Sequence, residues 1–113
     1  MAKSNKPIVW SLFAAGGTLA AMLAPVLVLL FLLAAMGHAP GLLSYAQLYA
    51  FAAHPLGKLF LLTVIALFLW HAAHRLRVAL HDFGLRQDRF VAVIVYFVAA
   101  TGTALSVLYL ARI

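Results

Sequence analysis

The stretch LFLLTVIALFLWHAAHRLRVALHD, residues 59–82, joins an apolar run to a segment rich in titratable side chains. Residues 59–69 carry no charge, whereas residues 70–82 hold three histidines, two arginines and one of the two acids in the chain. A helix that crosses a bilayer needs about 20 mostly apolar residues. The stretch therefore predicts a spanning helix over about 56–82, which continues past the hydrocarbon at its polar end and stops at Gly84.

The composition of the whole chain indicates an integral membrane protein. Of its 113 residues, 67% are hydrophobic and 9% are charged. In a soluble domain, about 45–50% of the residues are apolar and about 25% are charged. Two further apolar segments, at about 8–36 and 90–111, are long enough to cross a bilayer. The sequence thus predicts an all-α chain with three transmembrane helices, forming one transmembrane domain over residues 1–113.

A shorter segment, LLSYAQLYAFAAH at residues 42–54, lies between the first two spans. It follows the helix-breaking GHAPG at 37–41 and is ended by HPLG at 54–57. Ser44 is a suitable N-cap, and tyrosine rings favour the headgroup level of a membrane. Because the segment is too short to span, we expect a short interfacial helix.

Small residues on the spans indicate where the helices pack closely. They recur at the spacing that lets membrane helices approach closely. The prolines of the first span give two further predictions: Pro7 suits the first turn of the helix, and Pro25 predicts a kink. The small residues are Gly17 with Ala21, Ala20 with Ala24, and Ala99, Gly102, Thr103 and Ser106 on the third span.

The distribution of positive charge predicts the orientation of the chain. With three spans, one side carries Lys3, Lys6, Arg75, Arg77, Arg86 and Arg89, and the other side carries Lys58 and Arg112. Cytoplasmic loops carry the excess of Lys and Arg. We therefore expect the N-terminus and the 70–89 region in the cytoplasm and the C-terminus outside. The net charge of +6 reflects this orientation better than it reflects nucleic-acid binding.

The polar segment at 70–82 has several interpretations. A helix end leaving the membrane explains Arg77, Arg86, Arg89 and His81 without further function, because basic side chains snorkel and set topology. A b-type haem needs two axial histidines, usually from two helices. His71, His74 and His81 share one helix, and the other two histidines lie on the opposite side, so no pair within the chain brackets a haem. One histidine could still pair with a ligand from a partner subunit. The lack of cysteine also excludes cysteine-ligated metal sites.

A proton route and a quinone pocket are the two remaining interpretations. A proton relay would favour carboxylates deep in the bilayer, and the spans have none. A quinone headgroup needs donors for its carbonyl oxygens and aromatic walls. His74 and Arg75 are candidate donors, and Trp70 is a candidate wall. Trp10 and Phe13 lie on one face of the first helix at the same membrane side, although membrane anchoring and packing would also explain them.

Three segments together resemble a known family. PIVWSLFAAGG with the following LAPV at 7–26, LSYAQLYAFA at 43–52 and LWHAAHRLRVALHD at 69–82 are similar to the D-type membrane anchor of bacterial four-subunit fumarate reductase. The resemblance covers nearly the whole chain, in order. It implies an anchor that is not catalytic alone and belongs to an oxidoreductase complex of the bacterial inner membrane, either menaquinol:fumarate or succinate:quinone in its direction of turnover.

The resemblance also implies partners, cofactors and site residues. The partners would be a second three-span anchor, the C-type anchor of the same complex, and a flavoprotein and an iron–sulfur protein on the cytoplasmic face. FAD and the iron–sulfur clusters would reside in those partners, no haem is expected, and menaquinone would bind at a shared interface. Carried onto this chain, the quinone-binding residues would be Trp10, Phe13, His74 and Arg75.

The chain departs from the family pattern at four positions near these residues. Familiar members have glycine where this chain has Ala14, two histidines where it has Arg77 and Val78, and no histidine at the position of His71. The four candidate residues are unaffected. Two alternatives remain open: a small transporter or channel subunit, and a purely structural anchor that makes no quinone contact.

Overall fold

Three long helices and one short helix make up the chain in a computed structural model that describes residues 6–38 and 41–113. The helices are α1, Lys6–Ala35; α2, Tyr45–Ala53; α3, Pro55–Asp82; and α4, Asp88–Arg112, with a 3-10 turn at Gly41–Leu43 before α2. No strand occurs within the described residues. The helices α1, α3 and α4 are long and apolar enough to cross a membrane. The predicted all-α architecture with three spans and a short intervening helix is confirmed.

Glycines in the left-handed conformation end two of the long helices. Gly37 has a φ of +84° and Gly84 a φ of +99°, values that cost glycine little because it lacks a Cβ. After α3, the Leu85 N–H donates to the Leu80 carbonyl and the Gly84 N–H to the His81 carbonyl. This pattern satisfies carbonyls that the helix leaves free, and the predicted stop at Gly84 is confirmed.

The predicted features of α1 have mixed outcomes. Pro7 lies in the first turn that the structure describes, and the helix continues through Pro25. The kink at Pro25 stays a prediction. The predicted break at 37–41 begins at Gly37 as expected, but residues 39 and 40 lie outside the described part of the chain.

Two polar side chains define the short helix α2 and its junction with α3. The Ser44 hydroxyl accepts the Gln47 N–H at 3.3 Å, which confirms the predicted N-cap. His54 ends α2 and caps α3, because its Nδ1 accepts the Leu56 N–H at 3.1 Å. A Cβ on Gly57 would lie 1.7 Å from the Phe51 carbonyl oxygen, so only glycine allows this tight corner. The interfacial location of α2 stays a prediction.

The central helix is α3, which packs against both α1 and α4. At Gly16 the contact with α1 leaves no room for a Cβ, which would lie 2.6 Å from the Leu67 carbonyl oxygen. Gly16 is buried, while Ala21 and Ala24 are exposed. The predicted small-residue contact on α1 is therefore shifted toward the N-terminus, onto Gly16 and Gly17.

The core of the described residues lies between α3 and α4. Ala99 is 2% exposed, and a Cβ on Gly102 would lie 2.9 Å from a methyl carbon of Leu69. These two contacts agree with the small-residue pattern predicted for α4. Most large apolar side chains elsewhere are exposed, as expected for a surface that meets lipid or partner subunits. The buried side chains of the core are Ala73, Val91, Val95 and Ala99.

Candidate functional site

A groove runs between α1 and α3 near the N-terminal end of α1. It consists of two adjoining cavities, of about 560 and about 610 Å³, and Phe13 and His74 line both. We call these two cavities together the α1–α3 groove. Their other lining residues are mostly apolar or aromatic: Val9, Leu12, Ala66, Leu67, Trp70, Arg77 and Tyr96 in the first, and Lys6, Pro7, Val9 and Trp10 in the second.

Phe13 lies between two histidines of α3. Its ring stacks on His71, with centroids 4.5 Å apart and planes 14° apart. It meets His74 edge to face at 4.6 Å. His71 Nδ1 is also 3.0 Å from the Phe13 carbonyl oxygen. Because a carbonyl only accepts hydrogen bonds, Nδ1 of His71 carries the proton. His71 and Phe13 thus join the two helices at the wall of the groove.

The observed position of the His71 ring depends on a glycine of the facing helix. A Cβ on Gly17 would lie 2.8 Å from the Cε1 atom of the His71 ring. The ring of His71 therefore occupies the space that the missing side chain leaves on α1. The sequence left His71 without a role, and the structure places it at the contact between α1 and α3.

A polar network connects His74 to the start of α4. His74 Nδ1 is 3.0 Å from the Tyr96 hydroxyl oxygen, and Arg77 Nη1 donates to the same oxygen at 3.5 Å. Arg77 also donates to both carboxylate oxygens of Asp88, at 2.9 and 2.5 Å. The Tyr96 ring stacks on Trp70 at 5.8 Å. A third cavity, of about 390 Å³, borders this network and is lined by His74, Arg77, Val78, His81 and Asp88.

The structure brings together three of the four predicted site residues. Trp10, Phe13 and His74 all line the α1–α3 groove, and Trp70 lines it as expected. Arg75 is exposed and does not line any of these three cavities. In the isolated chain, Arg75 therefore does not line the groove together with the other three residues.

Sequence reasoning missed the contributions of Arg77, Asp88 and Tyr96. Arg77 was interpreted as a topology signal, whereas its guanidinium forms a forked pair with Asp88. The available signal was the position of Asp88, one of only two acids, just after the basic end of α3. Tyr96 gave no such signal, because it occurs within an apolar span.

The described residues contain no group of three or more His, Cys, Asp or Glu side chains arranged to hold a metal ion. The Nδ1 atoms of His71 and His74 are both engaged by protein groups. What the groove offers is aromatic surface with a few polar groups at one end. That combination suits a flat, mostly apolar ligand that accepts hydrogen bonds.

Comparison with known proteins indicates a single family. A family model for the fumarate reductase D subunit matches residues 1–111. The chain is 35% identical over 113 residues to the fumarate reductase D subunit of Shewanella sp. (strain W3-18-1), covering 98% of this chain and 93% of the relative. It is 37% identical over 110 residues to that of Vibrio vulnificus (strain YJ016), covering 96% and 88%. It is 44% identical over 108 residues to that of Mycobacterium tuberculosis (strain ATCC 25177 / H37Ra), covering 90% and 83%.

Proposed function

Because the chain belongs to the D-subunit family of fumarate reductase membrane anchors, we propose that it binds menaquinol and holds the catalytic subunits at the cytoplasmic face. Its partners in this proposal are a second three-span anchor of the C type, an iron–sulfur protein and an FAD-containing flavoprotein. Menaquinol supplies the electrons for fumarate reduction, which takes place in the partners. Trp10, Phe13, His74 and Arg75 are the proposed quinone-binding residues of this chain.

The observation that carries the proposal is the chemistry of the α1–α3 groove. Most of the residues that line the groove are apolar or aromatic, and His74 lines both of its cavities. Each cavity, at about 560 and about 610 Å³, lies within the range of small-molecule sites, about 300–1,000 Å³. The rings of Phe13 and Trp10 suit the faces of a quinone headgroup, and His74 can hydrogen-bond to a carbonyl oxygen.

Arg75 has a separate place in the proposal. Its guanidinium can donate hydrogen bonds but is exposed in the isolated chain. A shared quinone site would lie where this chain meets its partners, so a partner protein would cover Arg75 in the complex. The charge bias supports the same arrangement, because Arg75 belongs to the six basic residues predicted on the cytoplasmic side.

A pore function has less support. The hydroxyls of Ser11, Thr63, Thr103 and Ser106 each donate to a carbonyl four residues earlier on their own helix. These four hydroxyls are thus satisfied locally and are poor candidates to line a polar path. A transporter or channel subunit would need polar groups along its path through the membrane.

The test uses the whole complex, purified in mild detergent through a tag on this chain. We expect a flavoprotein, an iron–sulfur protein and a second small membrane protein to be recovered with it. His74→Ala and Trp10→Ala should lower kcat/KM for a menaquinol analogue by tenfold or more, at about 1.4 kcal/mol per tenfold. Fumarate reduction with an artificial donor to the flavin should stay normal.

Matched controls separate a quinone site from general damage. His38→Ala removes a histidine near the other end of α1, and Phe97→Ala removes an exposed aromatic of α4. Both should retain normal quinol kinetics. If His74→Ala and Trp10→Ala also behave like the wild type, the chain is a purely structural anchor and the proposed quinone contact is wrong.

A further inference from the structure

Tyr96 is the least expected member of the polar network, and its hydroxyl has two neighbours. The Tyr96 oxygen lies 3.0 Å from His74 Nδ1 and 3.5 Å from Arg77 Nη1. The ring is held in place by stacking on Trp70 and by the Arg77 guanidinium, whose carbon lies 5.7 Å from the ring centroid. The hydroxyl of Tyr96 is therefore held between α3 and α4 at the edge of the groove.

The chemistry of the two neighbours sets the direction of the hydrogen bonds. A guanidinium only donates, so Arg77 uses the Tyr96 oxygen as an acceptor. The forked pair with Asp88 fixes the guanidinium plane that makes this donation. The hydroxyl proton of Tyr96 is then directed to the remaining neighbour, Nδ1 of His74.

This direction determines which nitrogen of His74 carries the proton. A neutral imidazole has one donor and one acceptor nitrogen, and the partner of one nitrogen decides the state of the other. If Nδ1 accepts from Tyr96, the proton of His74 is on Nε2. A quinone carbonyl oxygen only accepts hydrogen bonds, and the hydroxyl oxygen of a quinol can also accept them, so a donor of this kind can bind both forms.

We propose that Tyr96, oriented by the Arg77–Asp88 pair, is a positioning residue that holds His74 with its proton on Nε2 for donation to a quinone carbonyl. The inference rests on the proposed quinone site and adds the group that controls its polar end. It also gives Arg77 a function in addition to setting the membrane topology. Tyr96 itself acts through His74 and needs no contact with the ligand.

The principal experiment is Tyr96→Phe in the complete complex, which removes the hydroxyl and keeps the ring stacked on Trp70. We expect kcat/KM for a menaquinol analogue to fall about fivefold, as for the loss of one hydrogen bond. Tyr109→Phe removes a hydroxyl from an exposed tyrosine near the other end of α4 and should have no effect.

Infrared difference spectroscopy reports directly on the proposed donation. A hydrogen bond lowers the stretching frequency of a carbonyl, so the band of a bound menaquinone analogue should move up in Tyr96→Phe and in His74→Ala. It should stay in place in Tyr109→Phe. A band that is unchanged in Tyr96→Phe but moves in His74→Ala would overturn the role of Tyr96.

A double-mutant cycle tests whether Tyr96 acts through His74. In a His74→Ala background, Tyr96→Phe should cause no further loss of kcat/KM, because its effect passes through the missing ring. A full additional fivefold loss would contradict the inference. Normal kinetics of His74→Ala alone would instead contradict the proposed quinone site, so the two failures are distinguishable.

A second variant keeps the inference testable if Tyr96→Phe does not assemble. Arg77→Met removes the donor to Tyr96 and leaves five basic residues against two, so the charge bias is retained. We expect the same direction of change in kcat/KM and in the carbonyl band. Arg86→Met, in the exposed loop between α3 and α4, is the matched control. Equal behaviour of Arg77→Met and Arg86→Met would count against the proposed network.

Discussion

His71 illustrates how a single side chain can join two helices. Its ring stacks on Phe13 at 4.5 Å, its Nδ1–H donates to the Phe13 carbonyl at 3.0 Å, and it lies over Gly17. These contacts hold the aromatic ring that forms the wall of the α1–α3 groove. The family resemblance offered no role for this histidine, because familiar members lack it.

We predict that His71→Ala weakens the contact between α1 and α3 by about 1–3 kcal/mol, the sum of a hydrogen bond and an aromatic stack. The measurement is the temperature at which the purified complex loses its subunits on size-exclusion chromatography. His71→Phe keeps the stack and loses the hydrogen bond, so it should show about half of the effect. His38→Ala is the control, and equal dissociation temperatures for His71→Ala and His38→Ala would contradict this role.

At the scale of helices, the crossing of α1 over α3 depends on Gly16 and Gly17. A Cβ on Gly16 would meet the Leu67 backbone oxygen, which cannot move without shifting α3, whereas a Cβ on Gly17 would meet the His71 ring. Rotation of the His71 side chain can relieve the second clash but not the first. The two glycines therefore differ in how strictly the crossing requires them.

We predict that Gly16→Ala destabilises the complex by about 1–3 kcal/mol, the usual cost of overpacking. Gly17→Ala should cost less in stability but should displace His71 and raise KM for the quinol. Thermal dissociation and quinol kinetics provide the two measurements. Gly41→Ala is the control, because a Cβ there has no atom within 4 Å. A larger loss of stability in Gly17→Ala than in Gly16→Ala would contradict the assigned contacts.

The short helix α2 shows how far local sequence can specify an element. Ser44 predicted its N-terminus, and His54 with Pro55 predicted its end, because capping and proline effects act over a few residues. The close approach of Gly57 to Phe51 was not predictable in this way. It depends on the angle between two helices, which the sequence of either helix does not specify.

At the scale of the whole molecule, the chain is a multi-pass membrane protein with little core of its own. Four apolar side chains among the described residues are buried, and most of the large ones are exposed. Lipid and partner proteins must therefore cover most of its apolar surface. In the proposed function, its orientation in the membrane determines which end meets the catalytic subunits.

Single cysteines can test that orientation, because the natural chain has none. We predict that Arg86→Cys reacts with a membrane-impermeant maleimide only after the cells are lysed. His38→Cys and Ile113→Cys should react in intact spheroplasts, since both lie at the opposite side. The reverse pattern would place the N-terminus outside and would contradict attachment of the catalytic subunits at the polar end of α3.

The sequence by itself determined the number of spans, their approximate limits, the N-cap at Ser44 and the helix stop at Gly84. Apolar length and capping residues act locally, so they can be assessed without knowing where other helices lie. It also indicated that Trp10, Phe13 and His74 belong to one end of the molecule. The family resemblance then proposed a shared role for them, together with Arg75.

Only the tertiary structure decided which side chains of that end meet. It joined Arg77 to Asp88 and Tyr96, moved the α1 contact to Gly16, and left Arg75 exposed. The physical reason is that membrane helices are apolar on all sides, so no polar face marks the buried one. The rotation of each helix is then set by close packing at small residues and by a few hydrogen bonds across helices.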